Sequence, residues 1–495
     1  MRFLSLLLLF SLCVTASEKP NIVIILADDV GFEEYGIYGV QKGASNTPNI
    51  DRLGLEGVTF QTCWAQSICG ASRALLYSGN YAIHNGRYDN KLNYIPGDDL
   101  KENNLPQFTK ILHDGGYSVG FAGKWHNTLA GKMGLENDKL GIDEYIHWGK
   151  AETLEEISGA TLTPDENWEI AAISKDQITS RFWKPHLVEN GKLLNTTMND
   201  YGPDMFTDFI CDFMEDKVKK EQTFLAIYAM VLAHSSHTVT PYEVAGGAKP
   251  SNFHYRKGTE QGTKMFKSQV RYMDKLTGKI LKKIKDLGID DNTIIICGSD
   301  NGTTSSSKSR GVEYGVHVPF IVAGAGIEKR GMVSQLTDFS DLLPTIVDFA
   351  GLAIPEDKSV DGISIKAFLT GASEKTKPVI YAFPGVATLV RTEEFMLEAV
   401  SPLYDHPLGR FYKTHGSFDG RAYENITHNP ECLVQRKEFE GLLTAFPNPM
   451  PKSFDDPQWK SYKGLDKAYK HFNSKGQRKN HLALPQAYKF YDPSF

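Results

Sequence analysis

The sequence predicts an α/β protein with a large, mainly parallel sheet flanked by helices, followed by a smaller α+β domain. Short apolar runs rich in β-branched residues alternate with longer segments of helical periodicity. A strand that is apolar on both faces is typical of a parallel sheet, because helices cover both of its faces. The alternation fades after 368–378, a polar segment that is followed by short strand-like pieces and a Pro- and aromatic-rich tail.

Each predicted element rests on its own pattern. The predicted strands are 21–29, 116–123, 223–233, 293–300 and 318–324. The predicted helices are 104–115, 265–288 and 339–351. The last two helices end at glycine, a common helix stop. We therefore expect a large α/β domain over 17–374 and a smaller α+β domain over 375–495.

The first residues have the pattern of a secretory signal peptide. One positive charge precedes an apolar run from Phe3 to Phe10, and small residues precede Ser17. This pattern predicts cleavage after Ala16, and the apolar run is too short to span a bilayer. We expect an exported protein, periplasmic or secreted, with no transmembrane segment.

The charge argues against a nucleic-acid-binding protein, and the cysteine content argues against a disulfide-stabilised fold. The formal net charge of −6 gives no general basic field, so we expect no nucleic-acid partner. Removal of the signal peptide takes Cys13 away and leaves five cysteines in an oxidising compartment, too few and odd in number for a disulfide framework. Cys297 lies in an apolar run and is predicted to be a buried thiol, whereas Cys69 precedes a predicted helix start and needs another explanation.

Two predicted strands end in pairs of oxygen-bearing side chains. Asp28 and Asp29 follow the first strand, and Asp300 and Asn301 follow the strand at 293–300. Ligands of open α/β sheets lie at the carboxyl ends of the strands. Three carboxylates and an amide oxygen form a set suited to a hard divalent cation, Ca²⁺ or Mg²⁺. Either pair alone would be read equally well as a turn or a helix cap.

Other strand ends carry cationic or imidazole groups. Lys124 and His126 follow the strand at 116–123, His234 and His237 follow the strand at 223–233, and Lys308 lies beyond Asp300 and Asn301. Each signal is weak alone, because a surface lysine or a structural histidine is commoner than a ligand. Together they would suit an anionic tetrahedral substrate held by a cation.

The segment from Cys69 carries a family resemblance. Cys69-Gly70-Ala71-Ser72-Arg73 followed by ALLYSGN resembles the C-x-[P/A]-x-R signature of the formylglycine-dependent type I sulfatases, in the alkaline-phosphatase-like superfamily. Six further motifs stand in the family's order between residues 19 and 371: PNIVIILADDVG, TPNIDRLGLEGVTF, GGYSVGFAGKWH, SDNG, VEYGVHVP and DLLPTIVDFAGL.

The resemblance implies a modified nucleophile and a metal ion. In the family a maturase oxidises the cysteine to Cα-formylglycine, so Cys69 would become an aldehyde whose hydrate attacks sulfur with one hydroxyl and expels sulfate with the other. One Ca²⁺ ion would be held by the modified residue and by the four matched ligands, which are Asp28, Asp29, Asp300 and Asn301.

The resemblance also implies roles for the remaining candidates. Arg73 would steady the formylglycine. Lys124 and His126 would contact the diol and the sulfate, with His126 as the base. His234 and Lys308 would bind sulfate and protonate the departing alkoxide.

Some positions depart from the family's usual residues: Ala71, Asn80, Ala233 and His317. Asn80 stands where an arginine usually supports the formylglycine loop. The change at 233 leaves the choice between His234 and His237 open. His317 stands where arginine is frequent, and it joins His237 as a candidate substrate contact.

The sequence thus predicts an exported sulfatase that hydrolyses sulfate esters of a polysaccharide or oligosaccharide, after activation by a formylglycine-generating maturase. The aromatic tail with Trp459 is a candidate sugar surface, although packing is the commoner role of such residues. Two alternatives stand beside this prediction: a phosphoesterase or phosphonate hydrolase of the same superfamily, and an inactive sugar-binding relative.

Overall fold

The computed structural model describes residues 19–40, 44–88, 90, 105–127, 131–162, 179–256, 258–303, 307–385, 387–401 and 408–446. The predicted signal peptide with its cleavage after Ala16 lies outside these residues, as does Trp459 in the aromatic tail.

Strands and helices alternate along the described chain. The strands are β1 Asn21–Ala27, β2 Val58–Trp64, β3 Ser118–Lys124, β4 Glu144–Trp148, β5 Val188–Glu189, β6 Lys192–Leu193, β7 Phe224–Ala229, β8 Thr293–Ser299, β9 His317–Val318, β10 Phe320–Gly324, β11 Gly331–Asp338, β12 Ile380–Ala382, β13 Thr388–Arg391, β14 Phe395–Val400, β15 Arg410–Lys413 and β16 Glu424–Asn425. The helices are α1 Pro48–Glu56, α2 Cys69–Ser78, α3 Ala82–Asn85, α4 Phe108–Asp114, α5 Asn137–Leu140, α6 Ala151–Ser158, α7 Gly202–Lys219, α8 Pro241–Ala245, α9 Glu260–Asp286, α10 Glu313–Val316, α11 Leu342–Phe349, α12 Lys366–Leu369 and α13 Leu433–Thr444.

Within the described residues, the large sheet has eleven strands in the order β11-β2-β10-β8-β1-β7-β3-β4-β5-β6, with β9 paired to β2. The strands β8, β1, β7, β3 and β4 are mutually parallel. One prediction was wrong: β10 is antiparallel to both β8 and β2. Burial on both faces gives β10 the same apolar pattern as a parallel strand, so the pattern could not reveal its direction.

The register of the parallel strands aligns their carboxyl ends. Ala27 of β1 pairs with Ser299 of β8, and Gly123 of β3 pairs with Ala229 of β7. Residues that follow these four strands therefore leave the sheet at one edge, where ligands of α/β sheets bind.

Both faces of the sheet are covered by helices. Alternate residues of β1 enter two different cores: Ile22, Ile24 and Leu26 on one side, Val23, Ile25 and Ala27 on the other. The helices α2, α4 and α11 contribute to the first core, and α7 and α9 to the second. Burying one such aliphatic side chain stabilises the fold by about 1.5–3 kcal/mol, so this layering fixes the strand ends firmly.

A second, antiparallel sheet of five strands runs in the order β12-β13-β14-β15-β16 within the described chain, and α13 packs on β13. The predicted fold class, a large sheet flanked by helices plus a smaller α+β unit, is confirmed. The domain boundary between residues 374 and 375 stays a prediction.

Among the described residues, no helix is both long and apolar enough to cross a membrane.

Candidate functional site

The turn before α2 presents Cys69 at the edge of the sheet. Cys69 is the first residue of the helix and is 1% exposed. The Ser72 hydroxyl accepts from the backbone N–H of Gln66 at 3.0 Å and donates to its carbonyl at 2.9 Å. The N–H of Gly70 donates to Asn90 Oδ1 at 2.9 Å, and a Cβ at Gly70 would lie 2.7 Å from that oxygen. The turn is therefore held from both sides, and a larger residue at position 70 would displace it.

The strand ends bring the four predicted oxygen ligands together. The N–H of Asp29 donates to Asp300 Oδ1 at 3.1 Å, and Asn301 Nδ2 donates to Asp29 Oδ1 at 2.8 Å. Asp28, Asp29, Asp300 and Asn301 are all fully buried. This arrangement follows directly from the parallel pairing of β1 with β8.

Two lysines, one at the end of β3 and one in the loop after β8, neutralise the aspartates. Lys124 Nζ lies 2.7 Å from Asp28 Oδ2. Lys308 Nζ lies 2.6 and 2.7 Å from the two carboxylate oxygens of Asp29, and 3.2 Å from Cys69 Sγ. The predicted nucleophile position is therefore in contact with one of the predicted cations.

Arg73 links the helix of Cys69 to two strand ends. Its Nε and Nη2 lie 3.2 and 3.0 Å from Asp300 Oδ2, and its Nη1 donates to the carbonyl of Lys124. Burial raises the pKa of Asp300 to about 6, with the charge of Asp28 acting in the same direction and Arg73 opposing both. Arg73 is thus the main reason that Asp300 stays ionised near neutral pH.

The other two carboxylates are anionic for a related reason. Burial alone would raise the pKa of Asp28, but the neighbouring Lys124, His234 and Arg73 hold it well below its usual range. Asp29 behaves alike: burial raises its pKa, and Lys308 and His234 bring it below the ordinary value. Both side chains are therefore in the form that a cation requires.

Two buried oxygens at this edge test whether a metal ion fits. Asp28 Oδ1 and Asn301 Oδ1 have no hydrogen-bond partner. An unmet buried acceptor costs about 1–3 kcal/mol, and a hard cation would satisfy both. Asp28, Asp29, Cys69 and His234 each offer an atom within 4.8 Å of one another. The donor set and its two open oxygens fit a divalent cation that prefers oxygen ligands.

His234 lies beside Asp29 on the cleft side. Its Nε2 is 3.6 Å from Asp29 Oδ2, and its Nδ1 is 2.9 Å from Arg181 Nη2 and 2.6 Å from the Ser235 carbonyl. Burial lowers the pKa of His234 well below its usual value, and Lys308 acts in the same direction against the opposing charge of Asp29.

The backbone conformation and the contacts of His126 differ from those of His234. Its backbone has a left-handed φ of 49°, which turns the chain away from β3 directly after Lys124 and Trp125. Its Nδ1 is buried without a hydrogen-bond partner. Burial, then Lys124 and Arg73, lower its pKa well below the ordinary value. A neutral imidazole with an unused ring nitrogen is available there as a proton acceptor.

A cleft of about 490 Å³ opens next to these groups. Lys124, His126 and His234 line it, so three predicted site residues form one of its walls. Trp148 and Arg181 belong to the same lining. A cavity of this size accommodates a small ligand such as one or two sugar rings.

Among the described residues that line the cleft, His237 and His317 do not appear, and a substrate contact for either stays a prediction. His237 is buried with its Nδ1 3.3 Å from Gln269 Oε1. The His317 ring stacks on Phe32 at 3.8 Å, and its Nε2 lies 2.8 Å from the Gln61 carbonyl. Of the histidines at 234 and 237, His234 is the one placed with the carboxylates.

Sequence reasoning missed two arginines. The Asn80 side chain donates to the carbonyls of Ser78 and Ser359 at 2.9 and 3.0 Å, so its described bonds do not reach Cys69. Arg87 instead lies against the Cys69 turn, with Nη2 3.2 Å from where a Gly70 Cβ would be. Its place seven residues beyond the missing arginine was a signal that could have been followed.

Arg181 is the second missed arginine. It is 5% exposed and contacts His234. No motif or strand end marks it in the sequence, so only the fold could place it at the site.

Comparisons with known proteins agree with this geometry. The sulfatase family model matches residues 20–352. The N-acetylgalactosamine-6-sulfatase of Canis lupus familiaris is 27% identical over 397 residues, covering 74% of this chain and 69% of that protein. Human arylsulfatase A is 26% identical over 452 residues, covering 86% and 81%. The crystal structure of Ps i-CgsB in complex with k-i-k-neocarrahexaose has a TM-score of 0.68 at 22% identity and covers 91% of this chain and 99% of that one, a likeness of fold.

Proposed function

This chain belongs to the sulfatase family and is a sulfatase, and from that premise we propose that it is an exported enzyme hydrolysing sulfate esters of a polysaccharide or oligosaccharide. The proposed reaction converts C–O–SO₃⁻ and water into an alcohol and sulfate. It uses one Ca²⁺ ion and a formylglycine formed from Cys69 by a maturase.

One observation carries the proposal. Cys69 Sγ lies 3.2 Å from Lys308 and 3.8 Å from Asp29 Oδ1, at an edge where Asp28 and Asn301 each keep a buried oxygen without a partner. A nucleophile position, a cation and two buried oxygens without hydrogen-bond partners therefore meet at one point. An anionic ester placed there would be held by opposite charge on several sides.

The residues at this edge fit both a calcium ion and a formylglycine. A calcium ion would be held by Asp28, Asp29, Asp300 and Asn301, and would supply positive charge to the sulfate oxygens. The hydrated formylglycine at position 69 would supply a hydroxyl nucleophile whose neighbouring hydroxyl permits release of sulfate. Burial raises the pKa of the unmodified Cys69 thiol to about 12, so the plain cysteine is a poor nucleophile.

The lysines bind and orient the substrate. Lys124 reaches Asp28 from the end of β3 and lines the cleft, and Lys308 reaches Asp29 from the loop after β8 and lies close to position 69. A cation bound by the aspartates would share their charge, which frees the lysines to contact sulfate oxygens. Arg73, paired with Asp300, keeps the helix of residue 69 fixed against the strand end.

The histidines move protons on two sides of the site. His126 has an unused ring nitrogen and a depressed pKa, so it is neutral at pH 7 and is available as a proton acceptor in the reaction. His234 faces Asp29 through Nε2 and lines the cleft, where the alcohol half of the ester would lie. Because its pKa is lowered in the free protein, it would take up a proton as the anionic ester binds and then give that proton to the departing alkoxide.

A carbohydrate substrate and export are supported by separate observations. The relatives include an N-acetylgalactosamine-6-sulfatase, and a structural neighbour is in complex with k-i-k-neocarrahexaose. The cleft beside His126 and His234 has room for sugar rings. The signal-peptide pattern of the first sixteen residues supports a periplasmic or secreted location.

The test is sulfate release by protein co-expressed with a formylglycine-generating maturase. The probes are 4-nitrocatechol sulfate, carrageenan, ulvan and chondroitin sulfate, with 4-nitrophenyl phosphate as the phosphoesterase alternative. We expect sulfate release that Cys69→Ala abolishes and Cys297→Ala retains, because Cys297 is an equally buried thiol in β8, away from the cleft. Equal activity of the two variants, or preference for the phosphate ester, would sink the proposal.

A further inference from the structure

Arg181 is a buried cation of the cleft that the proposed reaction does not use. It precedes Phe182 in a loop that ends at β5, and only 5% of its surface is exposed. It shares the cleft lining with Lys124, His126 and His234. A guanidinium keeps its charge at any physiological pH, so its burial here needs a compensating interaction.

Its described contacts are all with neutral groups. Nη2 donates toward His234 Nδ1 at 2.9 Å and to the Ser235 carbonyl. The guanidinium carbon lies 4.7 Å from the ring centre of Trp148 and 5.2 Å from that of Phe182. Nε is buried without a hydrogen-bond partner. The aromatic rings fix the plane of the guanidinium but leave N–H donors unused.

The nearby carboxylates do not neutralise the Arg181 guanidinium. Among the described residues no carboxylate forms an ion pair with it, since Asp28 is paired with Lys124 and Asp29 with Lys308. A divalent cation at those aspartates would weaken their remaining attraction for Arg181 still further. With a divalent cation at the aspartates, the positive charge around the cleft would exceed the single negative charge of one sulfate ester.

The position of Arg181 indicates which part of the substrate it meets. It contacts the outer nitrogen of His234, whose other nitrogen faces Asp29. The alcohol half of the ester would therefore lie between position 69 and Arg181. Lys132 and Lys150 line the same cleft at exposed positions, where Glu152 and Glu156 balance their charge, so Arg181 is the buried charge on this wall that lacks a carboxylate partner among the described residues.

We propose that Arg181 binds a second anionic group of the carbohydrate, a carboxylate or a second sulfate, carried close to the sulfate ester that is hydrolysed. Arginine suits this role because its fixed fork of donors matches planar or tetrahedral oxyanions. The enzyme then selects saccharides with two neighbouring negative groups. This inference rests on the proposed function, since it names the substrate class of the same cleft.

Binding without turnover tests the proposal. The unmatured full-length chain, in which Cys69 is still a thiol, is loaded with Ca²⁺ and titrated calorimetrically. One probe is a 6-sulfated chondroitin disaccharide with a free uronate, the second is its methyl ester, and the third is a 4,6-disulfated methyl ester. The same three forms on a heparin-type disaccharide cover a second sugar stereochemistry.

We expect the free carboxylate or the second sulfate to tighten binding about 10- to 100-fold over the singly charged ester. Arg181→Gln should bring this ratio close to one, and Arg181→Lys should keep part of it. Lys150→Gln, which removes a charge from an exposed position in the same cleft, should change the ratio less than about threefold because solvent screens it. The probe that gains affinity identifies the second anion as carboxylate or sulfate.

Three outcomes would overturn the inference. The wild-type chain shows no preference for a second anion, it binds none of the probes, or Arg181→Gln weakens all probes by one common factor while remaining folded by near-ultraviolet circular dichroism. The last result would make Arg181 a positioning residue for His234 only. Failure of the proposed function is seen separately, as a matured protein that releases no sulfate while the binding ratios persist.

Discussion

Two buried charge clusters in this protein look alike and do different things. The site cluster consists of Asp28, Asp29, Asn301, Lys124 and Lys308. The support cluster consists of Asp338, Asp341, Lys377 and Tyr81. In each, buried lysine and carboxylates meet just beyond the end of a strand, β1 for the first and β11 for the second.

The two clusters differ in how far their oxygens are satisfied. In the support cluster Lys377 Nζ contacts both carboxylates, at 3.1 Å from Asp338 Oδ2 and 2.7 Å from Asp341 Oδ1. The Tyr81 hydroxyl and the N–H groups of Ser340 and Ile363 donate to the same pair. In the site cluster Asp28 Oδ1 and Asn301 Oδ1 accept nothing.

Buried charge alone is therefore a poor sign of function. A buried cluster whose oxygens all have partners stabilises packing. A cluster beside a cleft that keeps oxygens without partners can still bind a ligand. The predictions below exchange single features of the two clusters, in order of expected effect.

The largest effect is expected on activity when Lys308 is replaced. In the Ca²⁺-loaded, matured protein, Lys308→Met should lower kcat/KM for 4-nitrocatechol sulfate about 10²- to 10⁴-fold, because a cation next to the developing charge is lost. The free energy of unfolding with Ca²⁺ should change little, since the metal compensates Asp29. Retention of activity would show that Lys308 has only a structural role.

Lys377→Met should produce the opposite pattern. It leaves two carboxylates buried without their cation, which typically costs about 3–5 kcal/mol in the free energy of unfolding. The turnover rate per folded molecule should stay near that of the wild type, since Lys377 does not line the cleft. Denaturant titration and activity on the same preparation measure both; a stable but inactive variant would contradict the comparison.

Calcium should stabilise through the site cluster only. At a concentration of about 100 times Kd, a ligand specific to the folded state adds about 2.7 kcal/mol to the free energy of unfolding. We expect this gain for the wild type and for Lys377→Met, and its loss in Asp28→Asn. Thermal unfolding with and without chelator measures it, and an equal gain in Asp28→Asn would place the ion elsewhere.

The effect that is smallest at neutral pH concerns acid stability and uses His317, which belongs to neither cluster. Burial, then the nearby Arg391, lower the pKa of His317 to about 3. The unfolded chain then binds a proton between about pH 6.5 and pH 3 that the folded chain does not, so stability falls as pH falls through this window. The slope from one such group is at most about 1.4 kcal/mol per pH unit.

His317→Gln keeps a donor for the Gln61 carbonyl and removes the titrating group. We expect a flatter dependence of the free energy of unfolding on pH between 6.5 and 4 in this variant. Parallel curves for variant and wild type would show that His317 does not contribute to acid sensitivity.

The sequence was most informative for residues that directly follow a strand. The strands before Asp28 and Asp300 are unbroken apolar runs, and parallel pairing of β1 and β8 is sufficient to bring those carboxylates together. β2, an interior strand beside β11, was missed because VTFQTCW is interrupted by threonine and glutamine and lacks a continuous apolar run. The choice between His234 and His237 depends on the turn after β7, whose path is set by tertiary packing.

Arg181 lay beyond sequence reasoning for a related reason. The role of Arg181 comes from Trp148, His234 and Ser235, which lie on two distant segments of the chain. No local pattern at 181 encodes these contacts. Residues that work through remote partners become visible only when the fold is known.

The most direct test of the account is the mass of the proteolytic peptide that contains Cys69, from protein produced with a formylglycine-generating maturase. Conversion of the thiol side chain to an aldehyde lowers the mass by about 18 Da. The account predicts this shift together with sulfate release by the same preparation. A peptide that keeps the mass of an unmodified cysteine, from protein that nevertheless hydrolyses sulfate esters, would contradict it.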